Sequence, residues 1–167
     1  MLKALGDEHK SDRGGVVLGI GDEQALLRAF ADLEQRLAPP SCSVEEMADL
    51  SGAVELLVGV RRDPRFGPVA LVGLGGVYAE ILRDVRCALG PVTPQQAREL
   101  LLSLRGAALL TGARGRPPVD LDAAADVVSR ITQVAARHPE IAEIECNPVA
   151  VTPDRALALD ARVVLAS

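Results

Sequence analysis

The fold is decided by the last stretch of the chain, residues 141–165, which reads IAEIECNPVAVTPDRALALDARVVL. Ile141–Thr152 and Ala156–Leu165 are rich in β-branched and apolar residues at strand spacing, so both segments predict β-strands. Between them, Thr152-Pro153-Asp154-Arg155 predicts a β-turn, because proline favours the second position of such turns and aspartate is common within them. The stretch therefore predicts an antiparallel hairpin.

The polar side chains of this hairpin are predicted to share one face. In a turn that is symmetric about its two central residues, Asn147 lies opposite Asp160. Further along the ladder, Glu145 lies opposite Arg162, on the same face because side chains alternate along a strand. Directly paired Cβ atoms are about 4.5–5.5 Å apart. Carboxylate and amide oxygens this close are hard ligands of the kind that Mg²⁺ or Mn²⁺ takes alongside substrate phosphates.

A purely structural interpretation of the same face stays open. Glu145 and Arg162 could form an ordinary cross-strand ion pair, and Asn147 and Asp160 could be a satisfied polar pair on a solvated surface. The other face of the hairpin is predicted to pack into the core. Its residues are Ile144, Cys146, Leu157, Leu159, Ala161 and Val163.

Composition narrows the class of protein. The chain has 167 residues, 49% of them hydrophobic and 25% charged, which is typical of a globular protein with one domain or two small lobes. No run of 18 uninterrupted apolar residues occurs, so a membrane-spanning helix is not expected. A net charge of −5, no tryptophan and only 1 tyrosine and 2 phenylalanines argue against nucleic-acid binding. The 3 widely separated cysteines favour reduced thiols in a cytoplasmic protein.

The periodicity of the remaining chain predicts an α+β fold. Three main helices are expected over residues 22–37, 94–104 and 120–137, with a short helical turn over 107–112. Thr93-Pro94-Gln95-Gln96 is a capping box, and Asp120 is expected to cap the last helix. Strands are expected over residues 16–20, 42–47, 53–61, 68–73 and 77–89, in addition to the hairpin. The helices would cover one side of an antiparallel sheet.

Several loop residues could carry chemistry. His9 lies in a polar loop beside Lys10 and Asp12 and could be a nucleophile or proton carrier, or simply a surface histidine. The glycines of Gly14-Gly15 and of residues 73–76 could present backbone N–H groups to a phosphate, or only form tight turns. Glu80 could point into the same cleft as the second glycine cluster. Arg114 and Arg116 could meet phosphate or a partner's carboxylate, or remain solvated.

Read together, these pieces resemble one family. The segments are HKSDRGGVVLGI (9–20), VELLVGVRRDPRFGPVALVGLGG (54–76), YAEILRDV (78–85), LLTGARGRPPVDL (109–121), EIECNPVAV (143–151) and LALDARVVL (157–165). They are similar, in this order, to the ATP-grasp β subunit or β-like region of NDP-forming acyl-CoA synthetases. That family includes ADP-forming acetyl-CoA synthetases and, more distantly, succinyl-CoA synthetase.

The resemblance implies an ATP-grasp-like fold of mixed or antiparallel sheets, with a nucleotide site between two lobes. Residues 1–50 would be part of the first lobe and residues 51–167 the second. The implied enzyme is an acid–thiol ligase that converts ATP, a carboxylic acid and CoA into acyl-CoA, ADP and phosphate, through an acyl phosphate and a phosphohistidine. Asn147 and Asp160 would be the Mg²⁺ ligands, and Glu145 would help the metal or steady a phosphohistidine brought by a partner subunit. Cys146, at a position where the family has an apolar residue, would face the core.

Matching positions imply further site residues. His9 falls in the family's His-Lys-Ser/Thr-Asp loop and would carry phosphate, and Lys3 falls at a phosphate-binding lysine. The backbone near Glu45, Glu46 and Met47 would meet adenine. The other residues expected to bind the nucleotide are Glu55, Gly75, Gly76 and Glu80.

The resemblance also leaves alternatives. The family has a further strand–helix segment before Lys3 and further CoA-binding and ligase domains, so this chain is not expected to complete the reaction alone. A partner subunit or domain with the principal phosphohistidine is implied, and self-association could cover apolar surface. A non-catalytic interaction or regulatory module, such as the related region of some acetyltransferases, is the second hypothesis. The acyl substrate and the choice of ATP or GTP stay open.

Overall fold

The computed structural model describes residues 1–6, 14–76, 83–113 and 115–166. The chain divides into two compact units, residues 1–49 and residues 50–167, which are described separately. Among the described residues, no helix is long and apolar enough to cross a membrane.

In its described residues, the first unit contains a small antiparallel sheet and one helix. Its elements are β1 (Leu2–Leu5), β2 (Val16–Val17), α1 (Glu23–Leu37) and β3 (Ser41–Val44). Strand β1 lies between β2 and β3. Asp22 caps α1 as an acceptor for the Ala25 N–H at 2.7 Å, and Leu33 packs on Leu2 and Ala4. The helix was predicted closely, whereas the strand expected over residues 16–20 is shorter.

The second unit contains a six-stranded sheet. The strands are β4 (Val54–Asp63), β5 (Gly67–Leu74), β6 (Val85–Leu89), β7 (Ile141–Val151), β8 (Ala156–Ala158) and β9 (Ala161–Leu165). The helices described here are α2 (Pro94–Leu102), α3 (Ala108–Thr111) and α4 (Leu121–Arg137). The strand order is β6-β5-β4-β7-β8, and β9 also pairs with β7; every pairing is antiparallel.

One face of this sheet is covered by α2 and α4, and we call it the helix face. Alternate residues of β4, β5 and β7 point towards the helices and are buried, because side chains alternate between the two faces of a strand. The buried residues without exposed surface include Leu56, Val72, Leu101 and Val149. The opposite face, which carries Leu57, Gly59, Leu71 and Glu145, is called the distal face.

The predicted caps of the helices are confirmed. Gln96 N–H donates to Thr93 Oγ1 at 3.2 Å, and Thr93 N–H donates to Gln96 Oε1 at 2.9 Å, which is the reciprocal pattern of a capping box. Asp120 Oδ1 accepts from the Ala123 N–H at 2.9 Å at the start of α4.

Three buried polar side chains form hydrogen bonds with the backbone of loops on the helix side of the sheet. The sequence did not indicate these contacts. Ser129 Oγ donates to the Val92 carbonyl at 2.9 Å, and the Val92 N–H donates to Thr132 Oγ1 at 3.1 Å. Asp84, only 3% exposed, accepts from the Gly106 N–H at 2.8 Å. Each bond satisfies a polar group that could not reach water.

The pKa of Asp84 reflects this environment. Burial by itself raises the pKa of the carboxyl group. Backbone hydrogen bonds from Gly106 and Arg105, together with the positive charges of Arg86 and Arg105, outweigh burial and leave the pKa of Asp84 below its usual value. Asp84 is therefore a charged carboxylate whose hydrogen bonds join the start of β6 to the turn between α2 and α3.

Some sequence predictions were wrong in detail. Leu157 and Val163 were expected in the core with Ala161, yet they are 39% and 54% exposed. These residues lie on β8 and β9 at the edge of the sheet, whereas α4 packs on β4, β5 and β7. The strand expected over residues 77–89 is found over Val85–Leu89, and residues 77–82 lie outside the described part.

Candidate functional site

The register of the closing hairpin agrees with the symmetric turn expected from the sequence. Glu145 pairs with Arg162, and Val149 pairs with Ala158. Between these pairs, the Asn147 N–H donates to the Asp160 carbonyl at 3.2 Å. Asn147 and Asp160 therefore face each other across the ladder, as predicted.

The hairpin is irregular at this pair. On the side of β4, the register of β7 shifts between the partners of Leu56 and Val58, and the Asn147–Pro148 peptide bond is cis. On the other side, β8 ends at Ala158 and β9 begins at Ala161. Bulges of this kind re-aim side chains and are frequent next to functional sites.

Asn147, Asp160 and Glu145 line one open depression of about 240 Å³, together with Ala161 and Arg162. Asn147 and Asp160 are exposed, so both side chains can reach a ligand from solvent. The geometric condition for a shared metal pair, that the two groups lie on the same side of the sheet, is therefore met.

A row of charged groups extends from this pair. Asn147 Nδ2 donates to Glu145 Oε1 at 3.3 Å, and Arg162 Nη2 lies 3.4 Å from Glu145 Oε2. The same nitrogen of Arg162 lies 2.5 Å from Glu143 Oε1. Glu143 was not singled out from the sequence, although the alternation of residues 143, 145 and 147 on one strand face would have indicated it.

The donor set fits a hard divalent cation that keeps other ligands. An amide oxygen and a carboxylate are oxygen donors, and Mg²⁺ is usually bound by one or two carboxylates plus phosphate and water oxygens. Among the described residues, no group of three or more His, Cys, Asp or Glu side chains could hold a metal ion. The pair of Asn147 and Asp160 thus suits Mg²⁺ that arrives with phosphate better than a metal held by protein alone.

A second depression adjoins the polar row on the distal face. It has a volume of about 250 Å³ and an apolar floor formed by Leu57, Gly59 and Leu71, and it is bordered by Arg61, Glu143 and Glu145. An apolar floor beside charged side chains of both signs suits a ligand that combines an apolar part with a polar part.

Three of the predicted nucleotide-binding residues lie together where β4 begins and the antiparallel strand β5 ends. The Gly75 N–H donates to the Glu55 carbonyl at 2.7 Å, so this N–H is already paired. Gly76 has a φ of +59°, and a Cβ there would come within 2.5 Å of Glu55 Oε2. The positive φ therefore favours glycine at residue 76, while the side chain of Glu55 could turn away from an added Cβ.

Two more predicted residues meet in the first unit. Lys3 Nζ lies 2.7 Å from Glu45 Oε2, and Ser43 Oγ donates to Glu45 Oε1 at 2.8 Å. Lys3 is on the central strand β1, while Glu46 and Met47 are exposed and follow β3. The candidates His9, Glu80 and Arg114 lie outside the described residues.

Cys146 faces the core between the two polar residues, as expected. It is 6% exposed and packs in the cluster beneath the helices. Burial raises the pKa of its thiol, and the charges of Glu145 and Asp160 add to this shift. The side chain is thus a neutral thiol with an apolar packing role.

Comparisons with known proteins agree on one relationship. Residues 3–165 match the family described as ATP-grasp domain. The chain is 39% identical over 163 residues to an ADP-forming acetate–CoA ligase of Archaeoglobus fulgidus, covering 94% of this chain and 24% of the relative. It is 37% identical over 166 residues to the β subunit of the corresponding enzyme of Pyrococcus furiosus, covering 94% of this chain and 70% of the subunit.

A solved enzyme shares the fold. ACD1 of Ca. Korarchaeum cryptofilum, in complex with coenzyme A, superposes with a TM-score of 0.91 at 35% identity, over 99% of this chain and 75% of that chain. Acetyl-coenzyme A synthetase 1 of the same organism was solved with coenzyme A and Mg-AMPPCP, its phosphohistidine segment pointing towards the nucleotide binding site. That structure gives a TM-score of 0.86 at 33% identity, over 99% of this chain and 76% of that chain.

Proposed function

Because this chain belongs to the ATP-grasp domain family, we propose that it is the nucleotide-binding portion of an ADP-forming acyl-CoA synthetase. The chain spans about a quarter of the length of a single-chain relative, 24%, and 70% of a separate β subunit. Residues 1–50 and 51–167 would belong to the two lobes of the ATP-grasp fold. The overall reaction would convert ATP, a carboxylic acid and CoA into acyl-CoA, ADP and phosphate.

Asn147 and Asp160 would hold Mg²⁺ in this function. The ion, when bound, would neutralise charge on the phosphate oxygens of ATP or ADP. Asn147 would offer its Oδ1 from β7, and Asp160 its carboxylate from the break between β8 and β9. The other face of this sheet is packed under the helices, which keeps the backbone of both donors fixed. This matters because phosphoryl transfer depends mainly on positioning and electrostatics.

Other residues would bind the nucleotide or receive the phosphoryl group. Lys3 would offset phosphate charge, with Glu45 holding its side chain, and the chain near Glu46 and Met47 would meet adenine. The remaining nucleotide-binding residues would be Glu55, Gly75, Gly76 and Glu80. His9 would carry phosphate, and Glu145 would orient a histidine that approaches the metal-bound phosphate.

The proposal includes a partner. A CoA-binding and ligase subunit or domain would supply the principal phosphohistidine and the acyl substrate site, as suggested by the coenzyme A and the phosphohistidine segment in the Korarchaeum enzyme. This chain would not complete the reaction alone. The free cysteines Cys42, Cys87 and Cys146 fit a cytoplasmic enzyme.

The observation that carries the proposal is the pairing of Asn147 with Asp160 on the exposed face of the closing hairpin. Millimolar ADP with Mg²⁺ is expected to raise the melting temperature of the chain, because a ligand that binds only the folded state stabilises it. Asp160→Ala should remove this shift and leave the melting temperature without ligand within about 2 °C, since the residue is exposed.

Asp154→Ala is the matched control for this experiment. It removes the same charge from the turn of the same hairpin and should keep the full response to Mg²⁺ and ADP. An unchanged response in Asp160→Ala would contradict the metal assignment, and no response in the wild-type chain would contradict the nucleotide function itself.

A non-catalytic interaction module is the second candidate. It is favoured by the exposed apolar residues Val163 and Leu165 on β9, which are 54% and 63% exposed. Such a module would bind a partner with the same affinity in the presence and absence of nucleotide. A partner affinity that changes with Mg²⁺ and ADP would exclude it.

A further inference from the structure

Arg162 occupies a central place beside the proposed metal pair. It follows Asp160 by two residues on the hairpin, pairs with Glu145 across the ladder, and lines the same depression as Asn147 and Asp160. One nitrogen, Nη2, approaches two carboxylates, Glu143 Oε1 at 2.5 Å and Glu145 Oε2 at 3.4 Å. A guanidinium group has five N–H donors in a fixed planar arrangement, so it can hold neighbouring carboxylates in a defined orientation.

Glu145 connects this guanidinium group to Asn147. Its Oε2 faces Arg162, and its Oε1 accepts a hydrogen bond from Asn147 Nδ2 at 3.3 Å. The two ends of the carboxylate therefore contact two different side chains. Rotation of Glu145 would break at least one of these contacts.

The orientation of the Asn147 amide decides whether it can bind a cation. Its oxygen is an acceptor and can bind Mg²⁺, whereas its NH₂ group is a donor and cannot. With Nδ2 directed at Glu145, Oδ1 is directed away from that carboxylate. Glu145 thus selects the orientation in which Asn147 is a ligand.

We propose that Arg162 is a positioning residue of the metal site: with Glu143, it holds Glu145 in place, and Glu145 in turn orients the amide of Asn147 so that its oxygen binds the divalent cation. This inference rests on the proposed function, because it assigns a role around the same pair. It adds Arg162 and Glu143 to the site and gives Glu145 a defined contact.

The proposal makes a prediction opposite to that of simple electrostatics. Removal of Arg162 leaves the charges of Glu143 and Glu145 uncompensated, and a site that attracted Mg²⁺ by charge alone would then bind the ion more tightly. If Arg162 acts by positioning, its removal weakens binding. Loss of residues that orient metal ligands typically costs 10–100-fold in metal affinity.

The test is a Mg²⁺ titration of the full chain at saturating ADP, followed by calorimetry or by melting temperature. Arg162→Ala is expected to raise the dissociation constant for Mg²⁺ by about 10-fold or more. Arg162→Lys keeps the charge but lacks the planar fork, so it should restore part of the affinity. Arg155→Ala is the matched control, because Arg155 lies in the turn of the same hairpin, roughly 15 Å along the strands from Asp160, and its loss should leave the affinity unchanged.

A second measurement needs neither metal nor nucleotide. In the ¹⁵N-labelled chain, one proton of the Asn147 side-chain NH₂ group should be shifted by its hydrogen bond to Glu145, and Asn147→Asp would identify this signal by its loss. Arg162→Ala should move the Asn147 signals towards the values of a solvated amide, while Arg155→Ala should not move them.

The possible outcomes distinguish a failure of the positioning role of Arg162 from a failure of the proposed nucleotide function. Equal or tighter Mg²⁺ binding in Arg162→Ala would overturn the positioning role while the nucleotide function stands. Weaker binding with unchanged Asn147 signals would also overturn it, since Arg162 would then act by another route. If the wild-type chain shows no Mg²⁺-dependent binding of ADP, the proposed function fails and this role fails with it.

Discussion

On the helix face of the six-stranded sheet, Leu56 and Val149 have no exposed surface, whereas on the distal face Asn147 and Asp160 are exposed to solvent. The same strands build both faces, because successive side chains of a strand point to opposite sides. The helix face supplies most of the stability by removing apolar surface from water. The distal face can then carry polar groups whose arrangement serves binding at little cost to folding.

The division is visible within single strands. Cys146 is packed in the core, and its neighbours Glu145 and Asn147 take part in the polar row on the other side. Gly59 lies on the floor of the distal depression, where a Cβ would come 3.3 Å from the Ile144 carbonyl. The packed side chains on one face of a strand therefore fix its backbone, and the polar side chains on the other face stay available for binding.

The largest expected loss of stability follows from truncating a buried side chain on the helix face. Leu56→Ala should reduce the free energy of unfolding by about 2–5 kcal/mol, because it leaves a cavity among fully buried side chains. Leu57→Ala, the next residue on the same strand, is the matched control, since Leu57 is only partly buried and lines the distal depression. Denaturant unfolding measures both, and equal losses would contradict the contrast between the faces.

A smaller effect is expected from the buried carboxylate on the helix side. Asp84→Asn removes the charge that strengthens the bond from Gly106 and should destabilise the chain at neutral pH by about 1.5–3 kcal/mol. The pKa of Asp84 is lowered by folding, so its contribution is complete above the unfolded pKa of about 3.9 and disappears as the pH falls through the lower folded pKa.

Unfolding measured between neutral and acidic pH tests this dependence. The difference in stability between the wild type and Asp84→Asn should stay constant down to about pH 5 and shrink below it. Asp154→Asn, which removes an exposed carboxylate from the hairpin turn, is the matched control. A difference that grows on acidification would have the wrong sign.

The contrast also explains what could be predicted from the sequence. The pairing of Glu145 with Arg162 was predictable because one recognisable turn, at Pro153 and Asp154, fixes the register of the strands that follow it. The burial of Val163 was predicted wrongly, because alternation shows which face a side chain shares but not whether any element covers that face. Edge and central strands have the same local pattern.

Polar contacts between residues that are distant in the sequence could not be predicted, for a different reason. Ser129 and Thr132 read as ordinary polar positions of a helix, and only the fold places Val92 against them. Arg62 likewise reads as one more charge on β4, although its guanidinium group binds the carbonyls of Ala135 and His138 near the end of α4. No local signal encodes a partner that lies dozens of residues away.

The smallest of these effects concerns the hydroxyl group of Thr132. Thr132→Val keeps the shape of the side chain but removes the acceptor for the buried Val92 N–H, so the loss should be about 1–3 kcal/mol in the free energy of unfolding, towards the lower end if the loop relaxes. Thr132→Ser retains the hydroxyl and should keep the Val92 bond, at the cost of one buried methyl group, about 1 kcal/mol. Hydrogen exchange of the Val92 amide separates the two variants: it should quicken in Thr132→Val and stay slow in Thr132→Ser.

Neither variant should alter the response to Mg²⁺ and ADP, because Thr132 lies on the helix side and the metal pair lies on the distal face. A changed response would mean that the two faces are coupled through the sheet.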